Sequence, residues 1–339
     1  MKLSDFDYDL PGDLVAQEPL ADRAASRMLV IDRASKTWSD RLFRDLPSFL
    51  RPGDAVVIND SKVFSSRLFG RKPGYAREVE IFLVRPLDAE RRYWSALVRP
   101  GRHLHSGAHV EIAPGLSAEI LETGVRGERR VRLECTGDLD ELLLRIGHVP
   151  LPPYIHRPDV PADRDRYQTV YAEKPGSVAA PTAGLHFTPE VMQACQDAGA
   201  EFARVALNVG LGTFQPLIDE TVEQNHLHQE TWEIPAAAAE ILAHAKRRVA
   251  VGTTSVRTLE TAVRNDGLRA GSGETDLFIY PGFEFQATDV LLTNFHLPKS
   301  SLLMLVCAFA GTELILDAYR HASAEKYRFF SYGDCMLIV

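Results

Sequence analysis

Two histidines stand in loops made almost wholly of small and polar residues: His186 in GSVAAPTAGLHFT and His296 in TNFHLPKSS. Imidazole titrates near neutrality, so each is a candidate for proton transfer, although a lone histidine also serves as a core residue. Three further loops share that composition: NVGLGTFQPL (Asn208 to Leu217), VGTTSVRT (Val251 to Thr258) and FSYGDCM (Phe330 to Met336). In VGTTSVRTLE an apolar run ends at Gly252, and Thr253, Thr254 and Ser255 open a helical pattern. Free N–H groups at such a terminus favour a carboxylate or phosphate, and a plain Thr/Ser cap gives the same pattern. Gly210 and Gly212 form a GxG, but Gln215 stands where a dinucleotide fingerprint needs its third glycine. His226 and His228 in NHLHQE would share one face of a strand, a possible metal pair. No third ligand follows at a recognisable spacing, so no metal is expected.

These loops need elements to position them. RMLVIDR (Arg27 to Arg33), DAVVIND (Asp54 to Asp60) and VEIFLVRP (Val79 to Pro86) read as strands. Short strand-like runs bounded by turn residues continue to Thr136, which places an all-β, barrel-like module between Ser65 and Thr136. DLDELLLRIG reads as a helix, and LPPYIHRP (Leu151 to Pro158) as a proline-stiffened linker. From about Asp165 the patterns alternate. TPEVMQACQDAG is a capped helix, FARVALNVG a strand, AAAAEILAHAKRR a helix, RVAVG a strand, SVRTLETAVR a helix and DVLLTN a strand leading to the helix SLLMLVCAFAG. Repeated strand, turn and helix predict a layered α/β fold, whose loops at the strands' carboxyl ends form a ligand crevice.

Composition narrows the classes. The longest strongly apolar run, Ser301 to Gly311, is too short for a hydrocarbon layer of roughly 30 Å. The acidic N-terminus lacks a secretory pattern, so a cytoplasmic protein is expected. Cys135, Cys195, Cys307 and Cys335 are scattered, without a CxxC pair, which argues against structural zinc and a disulfide framework. The net charge of -8 hides a reversal: between Arg67 and His105 nine basic residues face four acidic ones, a local excess of +5. That excess is either a solvated strand surface or a phosphate-facing patch.

Together the strings say more than each does alone. DLPGDLVAQEPLADRAASRMLVIDR, VVINDSKVFSSRLFGRK, GHVPLPPYI, RYQTVYAEKPGSVAAPTAGLHFT, VGLGTFQPL, VGTTSVRTLE, FIYPGFEF, LLTNFHLPKSSLLMLVCAFAG and YRFFSYGDCMLI resemble, in order and from Asp9 to the C-terminus, the S-adenosylmethionine:tRNA ribosyltransferase-isomerase family. Two positions depart from the pattern. Asn208 stands where that family is expected to have His in HVG, and Gln229 where it has Ser in HSE; Gly210, Gly212, His228 and Glu230 match.

The resemblance implies an α/β domain (1–64 and 150–339) bearing an inserted antiparallel β-barrel (65–149), in a monomer. It implies that S-adenosylmethionine is consumed as ribosyl donor to the aminomethyl group of 7-aminomethyl-7-deazaguanine at the tRNA wobble position, giving epoxyqueuosine and releasing adenine and methionine. Such chemistry needs a base for a C5′ proton made acidic by the sulfonium, a donor for the departing adenine, and a neutral amine. The resemblance assigns proton transfer to His186, Glu230 and Asp334 in some order. It assigns cosubstrate binding to Thr182, Gly184, Phe187, Gly210, Gly212, Thr213, Phe214, Thr253, Thr254, Ser255, Arg257, Asn294, His296 and Tyr332. Phe187, Phe214, Phe295 and Tyr332 are candidates to stack on a splayed base. Arg67, Arg71, Lys72, Arg91, Arg92 and Arg102 are expected to contact phosphates. A tRNA methyltransferase and a non-catalytic RNA-binding module are the alternatives.

Overall fold

Apolar runs form the spine of the molecule. The computed structural model describes residues 1–124, 127–210, 217–265 and 267–339. Its strands in chain order are β1 (Arg27–Asp32), β2 (Thr37–Leu42), β3 (Asp54–Asn59), β4 (Ser61–Val63), β5 (Arg67–Arg71), β6 (Glu78–Pro86), β7 (Tyr93–Arg99), β8 (His109–Ala113), β9 (Leu116–Thr123), β10 (Glu128–Cys135), β11 (Lys174–Ser177), β12 (Glu201–Asn208), β13 (Glu230–Ile234), β14 (Arg247–Val251), β15 (Gly271–Thr275), β16 (Val290–Asn294) and β17 (Cys335–Ile338). The helices are α1 (Leu139–Ile146), α2 (Asp163–Arg166), α3 (Pro189–Asp197), α4 (Ala236–His244), α5 (Gly252–Asn265), α6 (Ser301–Ala310) and α7 (Thr312–Ala324).

Nine strands make one sheet in the order β15-β13-β12-β3-β14-β16-β17-β1-β2. Every residue of β3 is buried, as a central strand covered on both faces requires. Its alternate residues serve two cores. Ala55 and Val57 join the layer of α4 to α7, while Val56 and Ile58 face Phe43, Val191 and Cys195 on the other side. The neighbours β12, β3, β14 and β16 run parallel. From β3 the chain returns through β12 on one side and then crosses to β14 on the other, so a crevice opens where these strands end.

Six strands close a barrel in the order β10-β7-β6-β5-β8-β9, all antiparallel. Alternation fills it: Val79, Ile81 and Leu83 of β6 and Trp94, Ala96 and Val98 of β7 point inward. The fold is thus the expected layered α/β structure with an antiparallel barrel.

Capping follows sequence closely. Thr188 Oγ1 accepts from the Val191 N–H with Pro189 in the first turn of α3, and Ser300 Oγ accepts from the Leu303 N–H at α6. No single described helix is long and apolar enough to cross a membrane. Two strands escape the sequence patterns. β15 is GSGET, poor in strand formers, and pairs only because β13 supplies an edge. β17 begins at Cys335, inside the stretch read as the loop FSYGDCM. His226 and His228 precede β13 and lie in no strand, so the same-face geometry of a metal pair does not arise.

Candidate active site

A cavity of about 630 Å³ opens at the carboxyl ends of the parallel strands. Ala179 to Ala183 form one wall, the first turn of α5 a second, and Thr293 to Leu302 a third, with Tyr154, Phe330 and Ser331 closing a side. The small residues of GSVAAPTAG therefore shape this space. Gly252 has φ +84°, a left-handed conformation suited to glycine, and it lets α5 start abruptly with Thr253 and Thr254 at the cavity wall. Tyr154 stacks on Phe330 with ring centroids 4.6 Å apart, and its hydroxyl lies 2.5 Å from Ser331 Oγ. Burial pushes that phenol up to about 12, so it stays protonated.

The two histidines differ. His296 lines the cavity with Nε2 3.0 Å from Thr293 Oγ1, and burial holds its pKa down to about 3. His186 lies behind the wall. Its Nδ1 is 2.9 Å from Ser26 Oγ and its Nε2 3.3 Å from Asn294 Oδ1. The Asn294 amide donates from Nδ2 to the Phe330 carbonyl at 2.8 Å, which leaves Oδ1 as acceptor toward His186. Nε2 therefore carries the proton and Nδ1 faces the Ser26 hydroxyl, which also lies 3.2 Å from the Arg23 carbonyl. Burial lowers the His186 pKa to about 4, against the Asn294 hydrogen bond that raises it. A neutral His186 thus holds Asn294, whose residue lines the cavity.

Of the other residues singled out by sequence, Thr182, Thr253, Thr254, Asn294 and Phe295 reach the cavity, Phe295 from within the core. Glu230 and Arg257 form a buried ion pair in a small adjoining space, which shares Ser301 and Leu302 with the main cavity. Glu230 Oε1 also accepts from the Gly210 N–H at 3.1 Å, and Arg257 Nε donates to the Leu277 carbonyl at 3.1 Å. Gly212, Thr213 and Phe214 lie outside the described residues.

Several residues point elsewhere. Asp334 accepts from the Arg27 and Arg328 backbone N–H groups at 2.9 and 2.8 Å, and its pKa is raised by burial. Phe187 is in the core against Phe43, and Ser255 Oγ bonds back to the Val251 carbonyl. Tyr332 donates to Asp163 Oδ1 at 2.9 Å. At Gly184 a Cβ would stand 2.0 Å from the Tyr171 hydroxyl, so its smallness admits Tyr171. Sequence reading passed over Tyr154, which it placed in a stiff linker; its signal was the string GHVPLPPYI.

The barrel's basic residues divide. Because β5 and β6 pair Arg67 with Phe82 and Arg71 with Glu78, the turn bearing Arg71 and Lys72 is at one end, and the turn bearing Arg91 and Arg92 at the other. Arg102 follows β7 at the Arg71 end. Arg67 is paired with Glu80 at 2.6 Å, and Arg91 with Asp140 of α1.

Comparison with known proteins bears on this arrangement. A family model described as queuosine biosynthesis protein matches residues 3–338. The S-adenosylmethionine:tRNA ribosyltransferase-isomerase of Solibacter usitatus is 58% identical over 100% of both chains, and that of Syntrophomonas wolfei 50% over 100% of this chain and 97% of its own. Among solved structures, the S-adenosylmethionine tRNA ribosyltransferase of Thermotoga maritima matches with a TM-score of 0.57 and 38% identity, over 99% of this chain and 100% of that one. The chain therefore belongs to the queuosine biosynthesis protein family, that of the S-adenosylmethionine:tRNA ribosyltransferase-isomerases.

Proposed function

We propose that this protein transfers and isomerises the ribosyl group of S-adenosylmethionine onto the aminomethyl group of 7-aminomethyl-7-deazaguanine at the wobble position of tRNA, releasing adenine and methionine. One observation carries the reading: a cavity at the strands' carboxyl ends combines an aromatic pair, a helix N-terminus and a neutral histidine. The Tyr154–Phe330 pair offers a platform for the splayed deazaguanine. Thr253 and Thr254 at the start of α5 suit the methionine carboxylate. No Asp or Glu lines the described cavity, so desolvation keeps the attacking amine neutral.

Proton transfer falls to His296. Its ring is neutral at working pH and able to accept the C5′ proton, with Thr293 fixing its orientation. His186 acts through Asn294 as a positioning residue, and Glu230 through Arg257 holds α5 against the Gly210 backbone. The α/β part (1–64 and 150–339) carries this chemistry, and the barrel part (65–149) contributes phosphate contacts. Mass spectrometry of the products formed from tRNA bearing 7-aminomethyl-7-deazaguanine tests the reading. Free adenine and methionine are expected; S-adenosylhomocysteine would reassign the protein as a methyltransferase, and no turnover as a binding module.

A further inference from the structure

Three arginines from separate segments converge beside the cavity. Arg23 precedes β1, Arg166 ends α2 and Arg328 precedes β17. Arg23 and Arg166 line a small recess with Pro19, His186, Ser331 and Tyr332. The Arg328 guanidinium reaches the carbonyl of Glu18 at the same edge and acts on His186 together with Arg23.

None of the three makes an ion pair among the described residues. Arg23 donates to the Leu185 carbonyl at 3.0 Å and the Asp165 carbonyl at 2.6 Å, and Arg166 to the carbonyls of Ala21 and Leu20. Nearby carboxylates act on them only from beyond ion-pair distance, Asp165 on Arg23 and Asp334 on Arg328. Asp163 is held by Arg157 and Tyr332, Glu18 by Arg157, and Asp334 by two backbone N–H groups. Arg166 Nε and Arg328 Nη1 are buried with no hydrogen-bond partner, an arrangement costly for a guanidinium unless an anion completes it. All three arginines fall within strings that set the sequence apart, yet the reaction as derived leaves them unused.

We infer that Arg23, Arg166 and Arg328 form a site for one phosphodiester of the tRNA anticodon loop, next to the nucleotide whose base enters the cavity. This rests on the proposed function. Ser331 gives the link: it belongs to both the recess and the cavity wall, and its hydroxyl meets Tyr154 of the aromatic pair. A base stacked on Tyr154 and Phe330 would bring its backbone past Ser331 to the guanidiniums. The recess lies at the surface side of the wall, where the Arg23 and Arg166 contacts are solvent-exposed. That placement suits a polymer backbone better than the carboxylate of a buried cosubstrate.

The test uses the full-length protein and an anticodon stem-loop RNA. Affinity is measured by fluorescence anisotropy from 50 to 200 mM salt for the wild type, Arg166→Gln, Arg166→Lys and Arg328→Gln, with S-adenosylmethionine binding by calorimetry and thermal unfolding alongside. The Gln variants are expected to lose about ten- to a hundredfold in RNA affinity and to flatten the log–log salt slope by about 0.7, with cosubstrate binding unchanged. Arg166→Lys should restore the slope. A single methylphosphonate flanking the reactive base should weaken wild type but add no further loss to Arg166→Gln. An unchanged slope, a selective loss of cosubstrate binding, or equal losses of both with a lowered Tm would each overturn the site, the second by assigning it to the methionine carboxylate. Wild type that turned over normally in these cases would leave the proposed reaction standing.

Discussion

The crevice and the barrel use charge in opposite ways. Around the crevice, several ionisable groups are buried and fixed: Glu230 with Arg257, His186 between Ser26 and Asn294, His296 on Thr293. On the barrel part, Arg91 pairs with Asp140 of α1 and Arg130 with Glu122, each with its carboxylate open to solvent. Burial makes each crevice group depend on its partner, whereas water screens the barrel groups from theirs. Chemistry belongs where a proton's position is dictated by packing, and a charged backbone can be gripped where charges are free to adjust.

Replacing His296 with Gln should give the largest effect, a fall in kcat of about 10²- to 10⁴-fold in single-turnover adenine release with RNA affinity retained. An equal fall in KM-limited binding alone would sink its proton-transfer role. Glu230→Gln leaves Arg257 buried without its carboxylate, and should cost about 3–5 kcal/mol in urea unfolding. Asp140→Asn on the barrel should cost less than about 1 kcal/mol in the same assay; similar values would erase the contrast.

Both histidines bind protons more weakly folded than unfolded, their pKa values falling from 6.5 to about 4 for His186 and about 3 for His296. Their contribution is complete above pH 6.5 and is lost as pH drops toward those lower values, on the order of 3 kcal/mol for His186 and about 5 kcal/mol for His296. A Tm profile measured from pH 7 to 4 should fall, and should fall less steeply in His296→Gln. The smallest stability effects belong to the barrel's arginines. Arg91→Gln with Arg92→Gln should flatten the salt slope of tRNA binding by up to about 1.4–1.8, because Arg91 pairs with Asp140 of α1, the helix that leads into the linker carrying Tyr154; Arg71→Gln with Lys72→Gln should leave it nearly unchanged.

Much of the scaffold was legible. DAVVIND shows the buried central strand by its unbroken apolar run, TPEVMQACQDAG its cap and first-turn proline, and VEIFLVRP its alternation, because each signal is local. β15 was not, since GSGET becomes a strand only by pairing with β13. The five small-residue loops pointed to a crevice, and five of the residues assigned to the cosubstrate, Thr182, Thr253, Thr254, Asn294 and His296, line it. Gly184 looked the same in sequence as its neighbours, yet it packs on Tyr171 rather than facing the cavity.

By itself the sequence determined the alternation of the main strands and helices, the barrel's pattern and the family, because these reside in neighbouring residues and in strings that recur in order. Only the tertiary structure showed which of the two histidines lines the cavity, since the partner that holds His186 behind the wall, Asn294, is 108 residues away. It likewise split a continuous basic stretch between two ends of a barrel, as successive hairpins reverse direction. And it brought Arg23 and Arg166 to one recess with Arg328 on the neighbouring Glu18 carbonyl, more than 300 residues apart at the extremes, where long-range packing sets their distances.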